Sequence, residues 1–355
     1  VSARCSLFRK PSGIVLSMAP HGAPHGVGCG FACLLAVWVP RCAWAFGEAP
    51  KFLIATSPST STVAYMRLPR SGAPAVYESK EKMRVLIDKG LKYPQGIAVD
   101  DYREFLYVAD PALGKLVRYR LSISGDTLVV GRMHDVASPV EVRAVAVDGL
   151  GNIWFTDEGS QKVMRVTAQQ AEQGHRTPQT VYSSTFVEQV RSPGGIAVDN
   201  FFVYWLNKAD GRTTGSLIKA VQNPSESLLE VDENATAQEG QVHALARNSD
   251  KCYGVCMALG NVFFTDDFRS LYAVPRNSVA RSEVVNISSS FVEPRGCSFD
   301  GDGTVYVADK GGNSIYQFAS NMEHLKSERP MTKAAELQGP FGVAVYSQLD
   351  NYEWN

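Results

Sequence analysis

The sequence predicts an all-β chain folded as a six-bladed β-propeller of four-stranded antiparallel blades. Three observations predict it. A three-strand phrase recurs along the chain in five full copies. Its spacing is roughly 40–60 residues, the period of propeller blades rather than of helical solenoids. A sixth copy is split between the two ends of the chain, as a ring closed by its own terminal strands requires.

The phrase is clearest at Arg295–Phe318, RGCSFDGDGTVYVADKGGNSIYQF. Gly296–Phe299 is a short apolar run that stops at the turn Asp300-Gly-Asp-Gly303. Thr304–Ala308 is β-branched and aromatic, and Asp309-Lys-Gly-Gly-Asn313 is a second turn. Ser314–Phe318 alternates with period two. Apolar runs of about 4–8 residues between Gly, Asp and Asn clusters are strand and hairpin signals.

Taken in order, residues 1–45 stand apart. From Pro11 to Pro40 there is no Asp, Glu, Lys or Arg; Gly28–Val39 is apolar; Ala43-Trp-Ala45 fits a small-x-small cleavage site. This is the pattern of a cleaved secretory signal peptide, with Met18 as a candidate start. The apolar stretch falls short of the ~20 residues of a membrane span, so no stable membrane insertion is expected after cleavage. The expected destination is the secretory pathway or the extracellular space. Two alternatives stay open: an uncleaved anchor, and, from Phe46 just after the cleavage point, a leader into the lumen of a plastid of secondary origin.

Residues 46–355 are expected to form the propeller. Phe52–Thr56 and Thr62–Met66 supply the second and third strands of the split blade, Met83–Ile87 its outermost strand and Phe341–Tyr346 its first. The other blades are expected at about 91–137, 138–188, 189–236, 237–290 and 291–337. First strands begin at Gln95-Gly-Ile-Ala-Val-Asp100, Arg143-Ala-Val-Ala-Val-Asp148, Gly194-Gly-Ile-Ala-Val-Asp199 and Tyr253-Gly-Val-Cys-Met-Ala258. The polar run Thr167–Gln179 is expected as an exposed connection with a helical turn, and Ser225–Lys251 as a long insertion. The core is expected from Ile97, Val99, Val145, Val147, Ile196, Val198, Val255, Met257, Phe299, Val343 and Val345, with the second-strand aromatics.

At these residues the chain resembles the NHL-repeat six-bladed propellers. The motifs are Gly-x-Ala-Val-Asp in the first strands, Leu106-Tyr-Val-Ala-Asp110 in a second strand and Gly311-Gly-Asn-Ser-Ile-Tyr316 leading a third. Tyr204-Trp205 also leans toward the related YWTD propellers, with Asn207 where an Asp is expected. The resemblance covers about residues 50–355 and implies the fold; one fold hosts many unrelated activities.

Composition excludes some functions. The 355 residues carry a formal net charge of −1 with charges scattered, so the basic stripe of a nucleic-acid binder is missing. After the leader, Cys252, Cys256 and Cys297 remain. Cys252 and Cys256 are four apart on one strand, about 13 Å, too far to bridge. Cys256 and Cys297 fall at adjacent registers of neighbouring first strands, where a bridge is geometrically conceivable; two small buried hydrophobes are the expected state. Asn234 and Asn286 open N-glycosylation sequons that exported protein would expose to modification.

In a propeller the chain enters each first strand on the face that carries the turn between second and third strands, so two rings of side chains gather there. One ring ends the second strands: Asp110, Asp157, Asn207, Asp266, Asp267 and Asp309, expected to bind the amides of the following turn. The other precedes the first strands: Tyr93, Gln95, Glu141, Arg143, Ser192, Tyr253, Glu293, Arg295 and Phe341. Its Arg and aromatic members are the residue types of binding hot spots. Tyr93, Gln95, Glu141, Arg143, Tyr253, Glu293, Arg295 and Phe341 are therefore the candidate ligand contacts, with a protein, peptide or glycan as partner.

The competing reading is enzymatic. The resemblance implies metal-assisted lyases and gluconolactonase-like hydrolases among propellers of this kind, with a divalent metal in the channel. Glu141, Asn207, His243 and Glu293 are the candidate ligands under that reading. His134, His175, His243 and His324 show no ligand spacing, and no nucleophile-elbow, zincin or phosphate-loop motif occurs. No cofactor is expected under the binding reading, which leads.

Overall fold

A computed structural model describes residues 49–69, 82–175, 177–209, 213–225, 241–278, 284–320 and 325–348. The leader, Asn234 and His324 lie outside the described residues. Six four-stranded antiparallel sheets make six blades of a β-propeller. Blade 1 contains the chain closure. Its innermost strand, Val343–Ser347, pairs antiparallel with Lys51–Ser57, followed outward by Thr62–Arg67 and Arg84–Ile87. Ala55 lies opposite Val343 and Ile54 opposite Ala344, so the split copy forms one sheet. Blades 2 to 6 each run in sequence order from the axis outward, starting at Ile97–Asp100, Val142–Val147, Pro193–Val198, Cys252–Ala258 and Pro294–Phe299.

The repeat alternates because each blade packs on both neighbours. Second-strand aromatics Trp154, Phe155, Tyr204, Trp205, Phe263 and Phe264 are fully buried between blades. Of the expected first-strand core, Ile97, Val145, Ile196, Val255 and Val343 are buried. Val99, Val147, Val198, Met257, Phe299 and Val345 are half-buried, because the end of each first strand faces the channel. First strands approach so closely that a Cβ on Gly254 would lie 2.1 Å from the Arg295 carbonyl oxygen, which leaves glycine as the residue that fits.

A second device ties neighbouring blades together in pairs. Thr56, Thr156 and Thr265 occupy the same second-strand position in blades 1, 3 and 5 and donate to the first-strand carbonyls of Gln95, Gly194 and Arg295 in the next blade. Ala109, Leu206 and Ala308 fill that position in blades 2, 4 and 6.

Three expectations need correction or completion. The long segment after residue 225 is not all insertion: Val242–Ser249 is the outermost strand of blade 4, and blade 5 starts at Cys252. Val242 opposite Ala220 and Ala246 opposite Leu217 anchor it there through their apolar contacts. His243 therefore sits on the rim of the ring rather than near the channel. The polar run after Thr167 holds a short helix, Ala168–Glu172, started by a capping box between Thr167 and Gln170. Cys256 and Cys297 are bonded to each other, with Cα atoms 5.5 Å apart, while Cys252 is a free buried thiol. The bridge ties the innermost strands of blades 5 and 6 together.

Candidate functional site

The six innermost strands enclose a channel of about 310 Å³. At its mouth each blade contributes one position at the same register: Gln95, Arg143, Gly194, Tyr253, Arg295 and Phe341. Five of these line the channel; Arg295 is behind Tyr253, 6 % exposed, with its guanidinium 3.9 Å from the ring centroid. In the ring of second-strand Asp and Asn residues, Asp110, Asp157, Asp266 and Asp309 accept from amides of the following turn as expected, whereas Asn207 accepts from the Arg191 amide of the entering loop and Asp267 pairs with Arg295. Asp110 accepts from the amides of Lys92, Tyr93 and Leu113, and Asp309 from those of Val292, Glu293 and Gly312. These two carboxylates each fasten the loop that enters their own blade's first strand to the turn after its second strand.

The residue after that ring carries a charge in four consecutive blades, with alternating sign: Glu158, Lys208, Asp267 and Lys310. Each finds an opposite partner. Glu158 pairs with Arg143 and, at 2.7 Å, with Lys208; Arg143 also pairs with Glu141. Arg295 lies 3.5 Å from both Asp267 and Glu293, and Lys310 3.0 Å from Glu293. The result is an arc of charge over blades 3 to 6, facing an uncharged side made by Gln95, Tyr93 and Phe341.

Gly194 shapes this arc. Having no side chain, it leaves the mouth position of blade 4 open, and the stem of Lys208 fills the gap. The Lys208 ammonium reaches the channel 5.8 Å from the Tyr253 ring centroid, so that ring is flanked by two cations, with Arg295 on the other approach. Burial pushes the Lys208 pKa below its ordinary value, and the hydrogen bond to Glu158 opposes that. The Lys310 hydrogen bond holds the Glu293 carboxyl below the usual carboxylate range. Burial raises the Tyr253 hydroxyl.

The first-strand candidates thus gather on one face. Tyr93, Glu141 and Arg143 also share an open recess between blades 2 and 3. The candidate metal ligands do not gather. Glu141 is held by Arg143, Glu293 by Lys310, and His243 is on an outermost strand. The Asn207 amide is spent on Gln189 and Ser216, and its oxygen on the Arg191 amide. Among the described residues, no three His, Cys, Asp or Glu side chains converge as a metal-ligand set.

No family model and no curated protein sequence matches the chain. Solved structures do match in fold. A chain of the nidogen/laminin complex superposes with a TM-score of 0.59 at 14% identity, over 84% of this chain and 99% of that one. A gluconolactonase from Xanthomonas campestris superposes with a TM-score of 0.55 at 11% identity, over 83% of this chain and 87% of that one. At such identities the likeness shows the six-bladed propeller and nothing finer.

Sequence reasoning missed Glu158, Lys208 and Lys310. The available signal was positional: each directly follows the last residue of a second strand, and the signs alternate.

Proposed function

We propose that this protein is an exported NHL-type propeller that works as a binding module. It recognises a protein, peptide or glycan on the face that carries the channel mouth. One observation carries the reading: the half-buried Tyr253 ring is stacked on the buried Arg295 guanidinium, beside Arg143 and Lys208, at the open end of the channel. A rigid aromatic ring flanked by cations is the make-up of a binding hot spot. Arg295 acts beneath the surface by holding Tyr253; Arg143, Tyr253, Tyr93 and Phe341 provide the contacts.

The Cys256–Cys297 bridge supports an oxidising compartment, in keeping with the leader. Asn286 is exposed, so its sequon is accessible to a glycan in that compartment. The double variant Arg143→Ala/Tyr253→Ala tests the site. It should lose the partner retained by immobilised wild-type protein while its thermal unfolding stays cooperative. Undiminished retention by the folded variant would sink the proposal.

A further inference from the structure

The channel below the mouth has its own chemistry. Of the described residues that line it, only Arg143 and Lys208 carry a charge, and both are cations. Their carboxylate partners Glu141 and Glu158 do not line it. Deeper in, Ser298 is the one polar side chain of the wall; residues such as Ile97, Val147 and Val198 make up the rest. The inner edge of each first strand has no ladder partner, so backbone amides punctuate a wall whose other side chains are mostly apolar. From the level of Arg143 to that of Val147 the strand advances four residues, about 13 Å.

We propose that the channel binds a linear aliphatic carboxylate, its head group on Arg143 and Lys208 and its chain running down the axis. Two adjacent cations receive the two oxygens of one carboxylate with charge-assisted hydrogen bonds. Burial leaves the Lys208 ammonium poorly solvated, and an incoming anion relieves that. The volume of about 310 Å³ sits at the small end of ligand pockets and accepts one unbranched chain. This goes beyond recognition of a macromolecule at the mouth; the two share Arg143, and Lys208, which is not among the mouth contacts named above, separates them.

Isothermal titration calorimetry of the oxidised, purified protein with hexanoate, octanoate and decanoate is the test. Binding should be one-to-one and should tighten with length, against an upper bound of about fourfold for each methylene buried. Decanol, which lacks the charge, and gluconate, which has the head on a hydroxylated body, should bind at least about tenfold more weakly than decanoate, the factor that about 1.4 kcal/mol of head-group or chain contact supplies. Lys208→Gln should weaken decanoate by a similar factor. Absence of binding heat with all three acids overturns the proposal, as does gluconate or decanol binding as tightly as decanoate. Undiminished decanoate affinity in a folded Lys208→Gln protein also overturns it, because the chain then binds elsewhere. Should that variant fail to fold, the head-group and length series on the wild type decides alone.

Discussion

A Cβ placed on Gly194 would lie 3.0 Å from Cδ of Lys208. The glycine therefore does not serve a turn; it makes room for a neighbouring blade-4 side chain to enter the mouth. The same Cβ would also sit 3.1 Å from the Cys252 carbonyl oxygen, so the backbone offers no slack. Gly194→Ala should drive the lysine stem aside and break its 2.7 Å bridge to Glu158. Overpacking of this kind costs about 1–2 kcal/mol. The expected outcome is a modest drop in the urea midpoint together with faster acylation of Lys208, read by peptide mapping. An unchanged acylation rate would show that the gap and the lysine are unrelated.

The Cys256–Cys297 bridge links positions 41 apart in sequence. Chain-entropy reasoning assigns a loop of that size about 4 kcal/mol, because cross-linking restricts the unfolded ensemble. The pair Cys256→Ala/Cys297→Ala should lose stability of that order in urea titration. The wild type under reductant should move to the same midpoint. Cys252 is buried and unbonded, so Cys252→Ala should leave reductant sensitivity intact. A reductant-insensitive wild-type midpoint would show that the two thiols are not bridged in solution.

The ring was legible in the sequence because its signals are local and repeated. Each first strand announces itself by an aliphatic run, and the split copy announces closure, which the pairing of Ala55 with Val343 realises. The mouth residues were legible for the same reason: one register, read off six strands, gives Gln95, Arg143, Tyr253, Arg295 and Phe341. What escaped depends on side-chain reach across blades. Lys208 belongs to a turn, and nothing in its own neighbourhood says that the glycine fourteen places earlier leaves it a path. His243 was misplaced because Val242-His-Ala-Leu245 reads equally well as an inner or an outer strand; only pairing with Lys219 places it. The bridge escaped because the relative height of adjacent blades sets it, and that is a tertiary quantity.

The three threonine clasps make a further prediction. Thr265 is fully buried; its hydroxyl donates to the Arg295 carbonyl at 2.7 Å and accepts from the Gly254 amide at 3.0 Å. Valine has nearly the same shape and neither function. Thr265→Val would leave a donor and an acceptor buried without partners, at about 1–3 kcal/mol for each group. Thr56 makes the same two contacts, to the Gln95 carbonyl and from the Gly342 amide. The two sites are in different blades and share no partner, so the losses of Thr56→Val and Thr265→Val should add within about 0.5 kcal/mol. Urea titration of both single variants and the double variant measures this. A valine variant as stable as the wild type would mean that the clasps contribute nothing.

Asp101 accepts a hydrogen bond at 3.0 Å from the amide of Ser347, at the end of the closing strand. Burial raises its pKa from 3.8 to about 6, the Ser347 hydrogen bond opposes the rise, and Asp100 adds to it. Between the unfolded value near 3.8 and the folded value near 6, the folded state holds more proton than the unfolded chain. Stability from this group is therefore greatest in acid, falls as pH rises through that window, and is flat above it. At neutral pH the half-buried carboxylate costs on the order of 2 kcal/mol. Asp101→Asn keeps an oxygen for the Ser347 amide and removes the charge. It should raise stability at about pH 7 by that order and bring no gain near pH 4, where the wild-type carboxyl is already protonated. Urea midpoints of both proteins across the window decide the matter: equal slopes would assign the acid response to a group other than Asp101.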